Sequence, residues 1–382
     1  MNAIDTFLTT HKPQTPCLVM DLAIVRDLYH KMQSTYTCAT ISYAVKANPE
    51  TEILRTLHQQ GASFDVASVG EIDRVLDLGV SPKKLSYGNT IKKASDIAYA
   101  YEKGIRLFAF DSIEELEKIA ENAPNSNVFC RLLVDCVGAE WPLSRKFGCE
   151  EHYAIELIQK AKNIGVNPIG ISIHVGSQQM TLSAWEDALN HVRYTWDTLA
   201  DKGIELSLLN LGGGMCAQYD KPILSTEEYG TGVMHILNKI FGDINPQIII
   251  EPGRGLVGDA GVIESEVILV SHKTGQRNEP IRWVYLDCGI LNGLFETLGE
   301  AIRYRFVSDK DGGKTAPSIL AGPSCDSADI MYEKNPINLP KDLKSGDKIR
   351  ILSTGAYTTS YACVWFNGFD PIKTYVVDSN VT

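Results

Sequence analysis

The chain contains 382 residues, of which 44% are hydrophobic and 22% charged, a composition that predicts a soluble protein of about two domains. Its formal net charge of −11 argues against a nucleic-acid-binding protein and against a partner with an anionic membrane surface. Nine scattered cysteines without a C-x-x-C pair, and the absence of a targeting or membrane-spanning run, predict a cytoplasmic protein with reduced thiols and no metal site.

Eight short apolar runs alternate with amphipathic helical stretches over the first two thirds of the chain. The runs lie at residues 41–46, 62–67, 85–88, 107–111, 128–134, 170–175, 206–211 and 248–251. Eight strands separated by helix-length segments predict an α/β protein with a (β/α)8 TIM-like barrel. Ser112 and Glu115 have the spacing of a capping box and predict a helix start between two of these strands.

The sequence pattern changes after Gly255. Strand-like runs at residues 262–270, 283–287, 348–353 and 374–377 follow, with few long helical patterns between them, and residues 308–315 have the composition of a surface loop. This pattern predicts a mostly antiparallel β-domain after the barrel. We place the barrel at residues 22–258 and the β-domain at residues 1–21 and 259–382, with the N-terminal segment joining the C-terminal sheet.

Reactive and charged residues follow the predicted barrel strands at their carboxyl ends, where barrels carry their active sites. They are Lys46, Asp65, Ser68, Arg131, His174–Ser177, Gly212–Gly214 and Glu251–Arg254. Lys46 is the most informative, because a partly desolvated amine at a barrel mouth is nucleophilic and can form a Schiff base with an aldehyde. The structural alternative is a strand-end lysine that extends its ammonium group to solvent.

The glycine triplet Gly212–Gly214 can bring backbone N–H groups close to an anion, and Arg254 adds a fixed cation one strand later. Together they favour a phosphate, whereas the triplet alone is more typical of a plain tight turn. Ser177 would add a hydroxyl donor or, alternatively, cap a helix.

A lysine amine, a phosphate cradle and a flat histidine ring together point to pyridoxal phosphate. His174 would stack on the cofactor ring, although a structural histidine is the alternative. Glu251 beside the pyridine nitrogen would keep that nitrogen protonated and the ring a strong electron sink. The alternative for Glu251 is an ion pair with Arg254 or Arg131.

The β-domain contributes a second group of candidates. Cys325 would donate a proton, and the neighbouring Asp326 and Asp329 would recognise an amine, although a free cysteine is more often a small buried residue. Tyr357 would bring its phenol near the cofactor, with packing inside a strand as the alternative.

These residues resemble the fold type III pyridoxal-phosphate decarboxylases, specifically the ornithine decarboxylase group related to eukaryotic ornithine decarboxylase and bacterial diaminopimelate decarboxylase. The matching blocks are Tyr43–Asn48 (YAVKAN), Phe64–Ile72 (FDVASVGEI), Leu143–Gly148 (LSRKFG), His174–Ser177 (HVGS), Gly212–Gly214, Glu251–Arg254 (EPGR), Gly322–Asp329 (GPSCDSAD) and Gly355–Thr358 (GAYT). They follow the family's order over nearly the whole chain. The resemblance implies the alanine racemase-like combination of barrel and β-domain, and a homodimer in which the Gly322–Asp329 segment reaches the second subunit's site.

The resemblance also implies residue roles. Lys46 would bind the cofactor covalently and Glu251 would pair with its ring nitrogen, while Cys325 would return a proton to the substrate after CO2 loss. The other cofactor-binding residues implied are Asp65, Glu71, Arg131, His174, Ser177, Gly213, Gly214, Gly253, Arg254 and Tyr357. For Glu71, a capping box with Ser68 is a competing structural explanation.

The substrate implied is a small cationic amino acid. Asp326 would hold its distal amine, as in the diamine-forming branch of the family, and Asp329 and Tyr285 are further substrate-binding candidates. In ornithine-specific relatives an aspartate on a short helix measures substrate length, whereas this chain offers Glu296 or Glu300 there. A difference of one methylene is worth only about 1–3 kcal/mol.

We therefore predict decarboxylation of L-ornithine to putrescine, as in polyamine biosynthesis, with L-lysine as the alternative or second substrate. Alanine racemase pairs the ring nitrogen with arginine, so Glu251 argues against it. A catalytically silent regulatory homologue would have lost Lys46, Cys325 and Asp326, and a single-domain pyridoxal-phosphate carrier would lack the β-domain. The sequence gives no physical account of Met215–Cys216, which follow the glycines where relatives often have Phe-Pro.

Overall fold

The computed structural model describes residues 3–141, 146–274 and 279–380. Of the predicted motif at residues 143–148, Leu143, Ser144 and Arg145 lie outside the described residues. The chain forms two compact units, one of residues 26–216 and 223–255, the other of residues 1–25, 217–222 and 256–382. The domain boundaries proposed at residues 22 and 258 stay predictions.

The structure contains the following strands and helices in chain order. The strands are β1 (Cys17–Asp21), β2 (Ala39–Ala44), β3 (Ser63–Val66), β4 (Leu85–Tyr87), β5 (Leu107–Phe110), β6 (Asn127–Arg131), β7 (Ala139–Trp141), β8 (Asn167–Ser172), β9 (Ser177–Gln179), β10 (Leu208–Asn210), β11 (Gln247–Ile250), β12 (Gly261–Thr274), β13 (Pro280–Leu286), β14 (Arg305–Ser308), β15 (Thr315–Ala321), β16 (Ile330–Met331), β17 (Ile337–Pro340), β18 (Lys348–Leu352) and β19 (Lys373–Val377). The α-helices are α1 (Ala3–His11), α2 (Leu22–Thr35), α3 (Thr51–Gln59), α4 (Val69–Leu76), α5 (Ala94–Glu102), α6 (Ile113–Asn122), α7 (Glu151–Ala161), α8 (Ser183–Asp201), α9 (Thr226–Phe241) and α10 (Arg254–Val257).

A closed parallel barrel forms the first unit. Its strands are β2, β3, β4, β5, β6, β8, β10 and β11, and β11 pairs with β2 to close the ring. All eight predicted runs overlap one of these strands, with ends that differ by up to three residues. The strands are apolar and buried because a barrel strand is covered by side chains inside and by helices outside. The predicted fold class is confirmed for this unit.

The predicted capping box at α6 is only half formed. Ser112 Oγ accepts a hydrogen bond from the Glu115 backbone N–H at 3.3 Å, which caps the helix. The Glu115 carboxylate does not return to Ser112; it is buried and contacts Lys92 Nζ at 2.9 Å and Lys118 Nζ at 2.5 Å. Lys92 is itself buried, and this burial lowers its pKa to about 8. Sequence spacing could not reveal Lys92 as the competing partner of Glu115.

A nine-stranded, mostly antiparallel sheet forms the β-domain, as predicted. Its main order is β14-β18-β12-β13-β15-β16, with β17 beside β15. The N-terminal strand β1 pairs with β12 antiparallel and with β19 parallel. Strands β14 to β17 were not predicted, because they are short or, like β15 with Pro317, carry residues that weaken the strand pattern.

Within the described ranges, no helix has the length and apolar character needed to cross a membrane. The same residues contain no cluster of His, Cys, Asp and Glu arranged to hold a metal ion.

Candidate active site

Lys46 lies just beyond the end of β2, not within it as predicted. Residues Val45–Ala47 form one turn of 3-10 helix, and the buried Tyr43 hydroxyl donates to the Asn48 carbonyl at 2.9 Å across that turn. The Lys46 side chain is 49% exposed, and its Nζ lies 3.7 Å from Asp65 Oδ2. The amine is therefore accessible at the carboxyl rim of the barrel and stays close to a carboxylate.

Asp65 is a buried carboxylate on β3. Burial, reinforced by the negative charge of Glu251, raises its pKa well above the usual range, while Lys46 and Arg131 oppose the shift. The Ser86 hydroxyl lies 3.5 Å from Asp65 Oδ1. Two positively charged site candidates, Lys46 and Arg131, and the negatively charged Glu251 therefore all influence the charge of Asp65.

Glu71 stabilises the start of α4, although its capping box with Ser68 is only half formed, because its carboxylate accepts from Ala67 instead. Ser68 caps α4, accepting from the Glu71 backbone N–H at 3.3 Å, and Glu71 Oε2 accepts from the Ala67 N–H at 2.7 Å. Burial raises the Glu71 pKa, and the nearby Lys46 lowers it. The carboxylate thus stabilises the start of α4 while remaining within the field of Lys46.

Arg131 occupies the last position of β6. Burial lowers its pKa, while the carboxylates of Glu251, Asp111 and Asp65 favour its charged form. Its guanidinium carbon lies 5.6 Å from the centre of the Phe147 ring. The guanidinium group compensates the negative charges that gather on this side of the barrel.

His174 is a neutral imidazole. The Gly176 N–H donates to Nδ1 at 3.1 Å, so Nδ1 is unprotonated and the neutral ring carries its proton on Nε2. Burial, together with the positive charges of Arg131 and Lys46, lowers the His174 pKa well below its usual value. A neutral flat ring is suited to stacking on an aromatic cofactor.

Glu251 follows β11, and its orientation is fixed by Asn210, a residue not singled out from the sequence. Asn210 Nδ2 donates to Glu251 Oε1 at 2.5 Å, and Asn210 Oδ1 accepts from the Gly212 N–H at 2.9 Å. Asn210 is fully buried at the end of β10. A polar residue between the apolar Leu209 and Leu211 was the available signal for such a role.

The glycine triplet makes a turn that other residues would not allow. Gly212 has φ of +67°, and a Cβ there would lie 2.3 Å from the Ile173 carbonyl oxygen. A Cβ on Gly213 would lie 2.9 Å from the Glu251 carbonyl oxygen and 3.2 Å from His174 Nε2. The turn therefore packs directly against the His174 ring and the Glu251 backbone.

Arg254 and Ser177 contact each other beside this turn. Arg254 is buried, and its Nε and Nη2 lie 3.2 and 3.1 Å from Ser177 Oγ. Ser177 belongs to β9, and the following helix begins at Ser183, so the alternative of a helix N-cap at Ser177 is wrong. A cation and a hydroxyl are thus held together next to the glycine backbone.

Cys325 and Asp326 are exposed in the β-domain, so the alternative of a small buried cysteine is wrong. The Cys325 backbone N–H donates to Asn367 Oδ1 at 3.0 Å, and Asp326 Oδ1 accepts from the Ala328 N–H at 2.8 Å. These contacts hold the backbone of the loop and leave the thiol at the protein surface.

Asp329 supports this loop structurally, which argues against its predicted contact with substrate. Its carboxylate is buried; Oδ1 accepts from the Ile290 N–H at 2.8 Å, and Oδ2 accepts from the Ser324 hydroxyl at 2.8 Å and its N–H at 3.2 Å. The carboxylate is occupied by backbone and hydroxyl donors that fix the start of the Cys325 loop.

Glu296 and Glu300 differ in their surroundings. Glu300 accepts from the backbone N–H groups of Lys334 and Asn335 at 2.7 and 3.1 Å and contacts Arg303 at 3.2 Å, and these donors lower its pKa although burial opposes them. Glu296 is buried within the 3-10 segment Phe295–Glu300. Glu300 therefore has a structural role, which makes Glu296 the stronger candidate for reading substrate length.

The two predicted tyrosines are both half-buried in the β-domain. Tyr285 lies on β13, where its ring stacks 6.1 Å from that of Trp283, so packing accounts for its position. Tyr357 has a left-handed backbone with φ of +54° in the segment after β18. This uncommon conformation for a bulky residue distinguishes Tyr357 from an ordinary packed tyrosine.

The barrel residues fit pyridoxal phosphate. The accessible Lys46 amine suits the aldehyde, the neutral His174 ring suits the pyridine face, and the glycine turn at residues 212–214, which carries no side chains, suits the close approach of an anion to its backbone. Arg254 supplies a buried positive charge beside that turn.

Comparison with known proteins agrees with this fit. Residues 22–258 match the family described as pyridoxal-dependent decarboxylase, pyridoxal binding domain. The chain is 34% identical to the lysine/ornithine decarboxylase of Selenomonas ruminantium, covering 93% of this chain and 88% of that protein. It is 33% identical to the ornithine decarboxylase of Schizosaccharomyces pombe, covering 89% and 78%.

A solved structure gives the same result for the fold. The lysine/ornithine decarboxylase of Vibrio vulnificus, complexed with cadaverine, superposes with a TM-score of 0.86 at 29% identity, covering 98% of this chain and 97% of that chain. The protein thus belongs to the pyridoxal-dependent decarboxylases, and its cofactor is pyridoxal phosphate.

Proposed function

We propose that this protein decarboxylates L-ornithine to putrescine and CO2. The observation that carries the proposal is the combination on one barrel of an accessible Lys46 amine with a Glu251 carboxylate oriented by Asn210. Bound pyridoxal phosphate supplies an electron sink, and a carboxylate at its ring nitrogen favours cleavage of a Cα bond. The same carboxylate argues against a racemase, which pairs that nitrogen with arginine.

The barrel residues hold and orient the cofactor in this proposal. Lys46 provides the amine that binds the cofactor's aldehyde carbon, and Asp65 controls the proton of that amine from 3.7 Å. His174 covers one ring face. Ser177, Gly213, Gly214, Gly253 and Arg254 bind the phosphate, together with Tyr357 from the β-domain, and Arg131 balances the local negative charge.

Cys325 and Asp326 act on the substrate. The bond between Cα and the carboxylate carbon breaks, CO2 leaves, and the electron pair remains at Cα. Cys325 Sγ then gives its proton to Cα and recovers one from solvent. Asp326 binds the distal ammonium group of the substrate, since its carboxylate is exposed and negatively charged beside the thiol.

The active enzyme is proposed to be a homodimer. An exposed apolar patch, formed by Val364, Trp365, Phe366 and Phe369, lies in the segment that contains Asn367, the residue that holds the Cys325 loop. Exposed apolar patches of this kind mark protein interfaces. Burying the patch against a second copy would bring Cys325 and Asp326 to a partner's barrel. A cytoplasmic location completes the proposal.

L-Lysine is the second candidate substrate. Glu296, not an aspartate, stands on the short helical segment proposed to measure substrate length, and the Selenomonas and Vibrio relatives are lysine/ornithine decarboxylases by name. A non-catalytic regulatory role is less favourable, because Lys46, Cys325 and Asp326 are all retained.

The deciding experiment is kcat/KM for CO2 release from L-ornithine and L-lysine, measured side by side on cofactor-loaded protein. We expect an ornithine preference of about tenfold or more, which corresponds to about 1.4 kcal/mol. Lysine-favouring values would replace ornithine by lysine as the main substrate, and equal values would make the enzyme a dual lysine/ornithine decarboxylase. Release from neither would overturn the substrate assignment.

A further inference from the structure

Gln179, at the end of β9, is fully buried and connects three segments of the barrel unit. Its backbone N–H donates to the Gly214 carbonyl at 2.9 Å. Its side-chain amide donates to the Val175 carbonyl at 2.8 Å and to the Val137 carbonyl at 3.1 Å. One residue therefore joins the glycine turn, the segment after β8 and the loop after β6.

The acceptor groups of Gln179 are also occupied. Its side-chain Oε1 accepts from the Thr181 N–H at 3.0 Å. Its backbone carbonyl accepts from the Tyr229 hydroxyl at 2.7 Å and from Cys216 Sγ at 3.2 Å. The Trp185 indole N–H in turn donates to the Tyr229 hydroxyl at 2.7 Å. Trp185 on α8 and Tyr229 on α9 thus hold the backbone carbonyl of Gln179 in place. Cys216 contacts the same carbonyl, which is a structural role that the sequence did not suggest.

The packing around Gly214 leaves little room for movement. A Cβ on Gly214 would lie 2.9 Å from Val175 Cγ2, 3.0 Å from the Gly176 carbonyl oxygen and 3.6 Å from Gln179 Cβ. A shift of Gln179 would therefore move Gly214 directly. Ser177, which contacts Arg254, lies two residues before Gln179 on the same short strand and would move with it.

We propose that Gln179 is a positioning residue for the phosphate of the cofactor. It touches neither cofactor nor substrate; it fixes Gly214 and the strand of Ser177 so that their donors converge on one anion. Removing its amide leaves the buried Val175 carbonyl without this donor, which costs more than the bond itself contributes, and it also frees the more exposed Val137 carbonyl. The inference rests on the phosphate site in the proposed function.

Cofactor binding tests this role without reference to turnover. The full-length protein is freed of cofactor, and dissociation constants for pyridoxal phosphate and for pyridoxal, which lacks the phosphate, are measured by fluorescence titration. For Gln179→Met, which keeps the side-chain length, we expect pyridoxal phosphate to bind about tenfold more weakly or worse, with pyridoxal changed by less than about twofold. The 31P resonance of the bound phosphate should also shift.

Thr195→Val is the matched control, because Thr195 is fully buried on α8 and its hydroxyl donates only to the His191 carbonyl among the described bonds. It should leave both constants unchanged. Tyr229→Phe removes the hydroxyl donor behind Gln179 and should weaken pyridoxal phosphate selectively, by a smaller factor, even if Gln179→Met fails to fold.

Three outcomes are distinguishable. Selective loss of pyridoxal phosphate affinity in Gln179→Met, or in Tyr229→Phe, supports the positioning role. Equal weakening of both ligands, or no change, overturns it and leaves the phosphate site standing. Wild-type protein that binds pyridoxal as tightly as pyridoxal phosphate would overturn the phosphate site itself, and the role of Gln179 with it.

Discussion

The candidates on the barrel and those on the β-domain differ in how they are held. Asp65, Asn210 and Arg254 are buried, and buried polar partners surround Glu251 and the glycine turn. Cys325 and Asp326 are exposed, and their loop is held through its backbone.

This difference separates two tasks. A cofactor that stays bound is best served by groups fixed before it arrives, since pre-organised dipoles need not rearrange during the reaction. The exposed thiol and carboxylate are not enclosed by the residues around them, and the proposed function needs a second surface that covers them. In the proposed homodimer, a second copy of the chain would supply that surface.

Lys46→Ala should have the largest effect. Without the amine the cofactor cannot be bound covalently, so the absorbance near ~420 nm expected of a lysine-bound cofactor should disappear and turnover should fall to background. Absorbance spectra check the loss of the covalently bound cofactor, and CO2 release checks the loss of turnover. Lys93→Ala, which removes an exposed lysine of the same unit, should change neither. Normal turnover of Lys46→Ala would refute the whole site assignment.

Asn210→Leu tests whether catalysis depends on the buried groups that orient the barrel side chains of the site. A hydrogen bond to a charged group contributes about 1.5–3 kcal/mol, so kcat should fall roughly 10- to 100-fold as Glu251 loses its donor. KM should change less, because Asn210 lies behind Glu251. Steady-state kinetics provide the measurement. An unchanged kcat would mean that Glu251 keeps its orientation without Asn210.

Lys92→Met tests a buried ion pair of the same barrel that the proposed chemistry does not use. Removing one partner leaves Glu115 buried with only Lys118, and should reduce the free energy of unfolding by about 3 kcal/mol. Cofactor absorbance at room temperature should be retained. Lys118→Met removes the half-exposed partner and should cost under about 1 kcal/mol. Denaturant unfolding of the three proteins makes the comparison.

The pH dependence of the same pair has a definite sign. The pKa of Lys92 is about 8 in the folded protein, against a usual value of 10.5, so between these pH values the unfolded chain binds more protons. Wild-type stability relative to Lys92→Met should therefore be lowest below about pH 8 and rise towards pH 10.5. A relative stability that falls over this interval would show that Glu115 keeps Lys92 charged in the folded state.

Glu296→Gln and Glu300→Gln should give the smallest effects and separate the two predicted specificity residues. If Glu296 determines which substrate length is accepted, its substitution should change the ratio of kcat/KM for ornithine and lysine. The expected change in discrimination free energy is about 1–3 kcal/mol. Glu300→Gln should lower thermal stability through its lost contacts to Lys334 and Arg303 and leave the ratio unchanged. The reverse pattern would exchange the two assignments.

The barrel could be predicted from sequence because its strands have a simple signature. The barrel strands are mostly apolar and end at the same rim, so hydrophobic runs located them, and Lys46, His174 and Glu251 could be placed after them. The β-domain strands β14 to β17 escaped prediction because short strands and Pro317 give no alternating pattern.

The supporting residues could not be predicted, for a different reason. Asn210 and Gln179 act through contacts with segments distant in sequence, and neither carries a charge or motif that marks it. Glu115 has the spacing of a capping residue, yet its carboxylate forms an ion pair with Lys92. A buried lysine requires a counter-charge, and the sequence spacing does not show which carboxylate supplies it. Asp329 stood in a motif rich in candidates, and only its three hydrogen bonds reveal a structural role.

Mixing two variants that are each expected to be inactive tests whether the exposed Cys325 loop completes the site of a second copy. Lys46→Ala and Cys325→Ala are purified, mixed, allowed to exchange subunits and assayed for CO2 release. Random exchange makes half of the dimers mixed, each with one intact site, so activity should rise to about a quarter of the wild-type value. A mixture that stays inactive, although mass spectrometry detects the mixed dimer, would contradict a site shared between subunits.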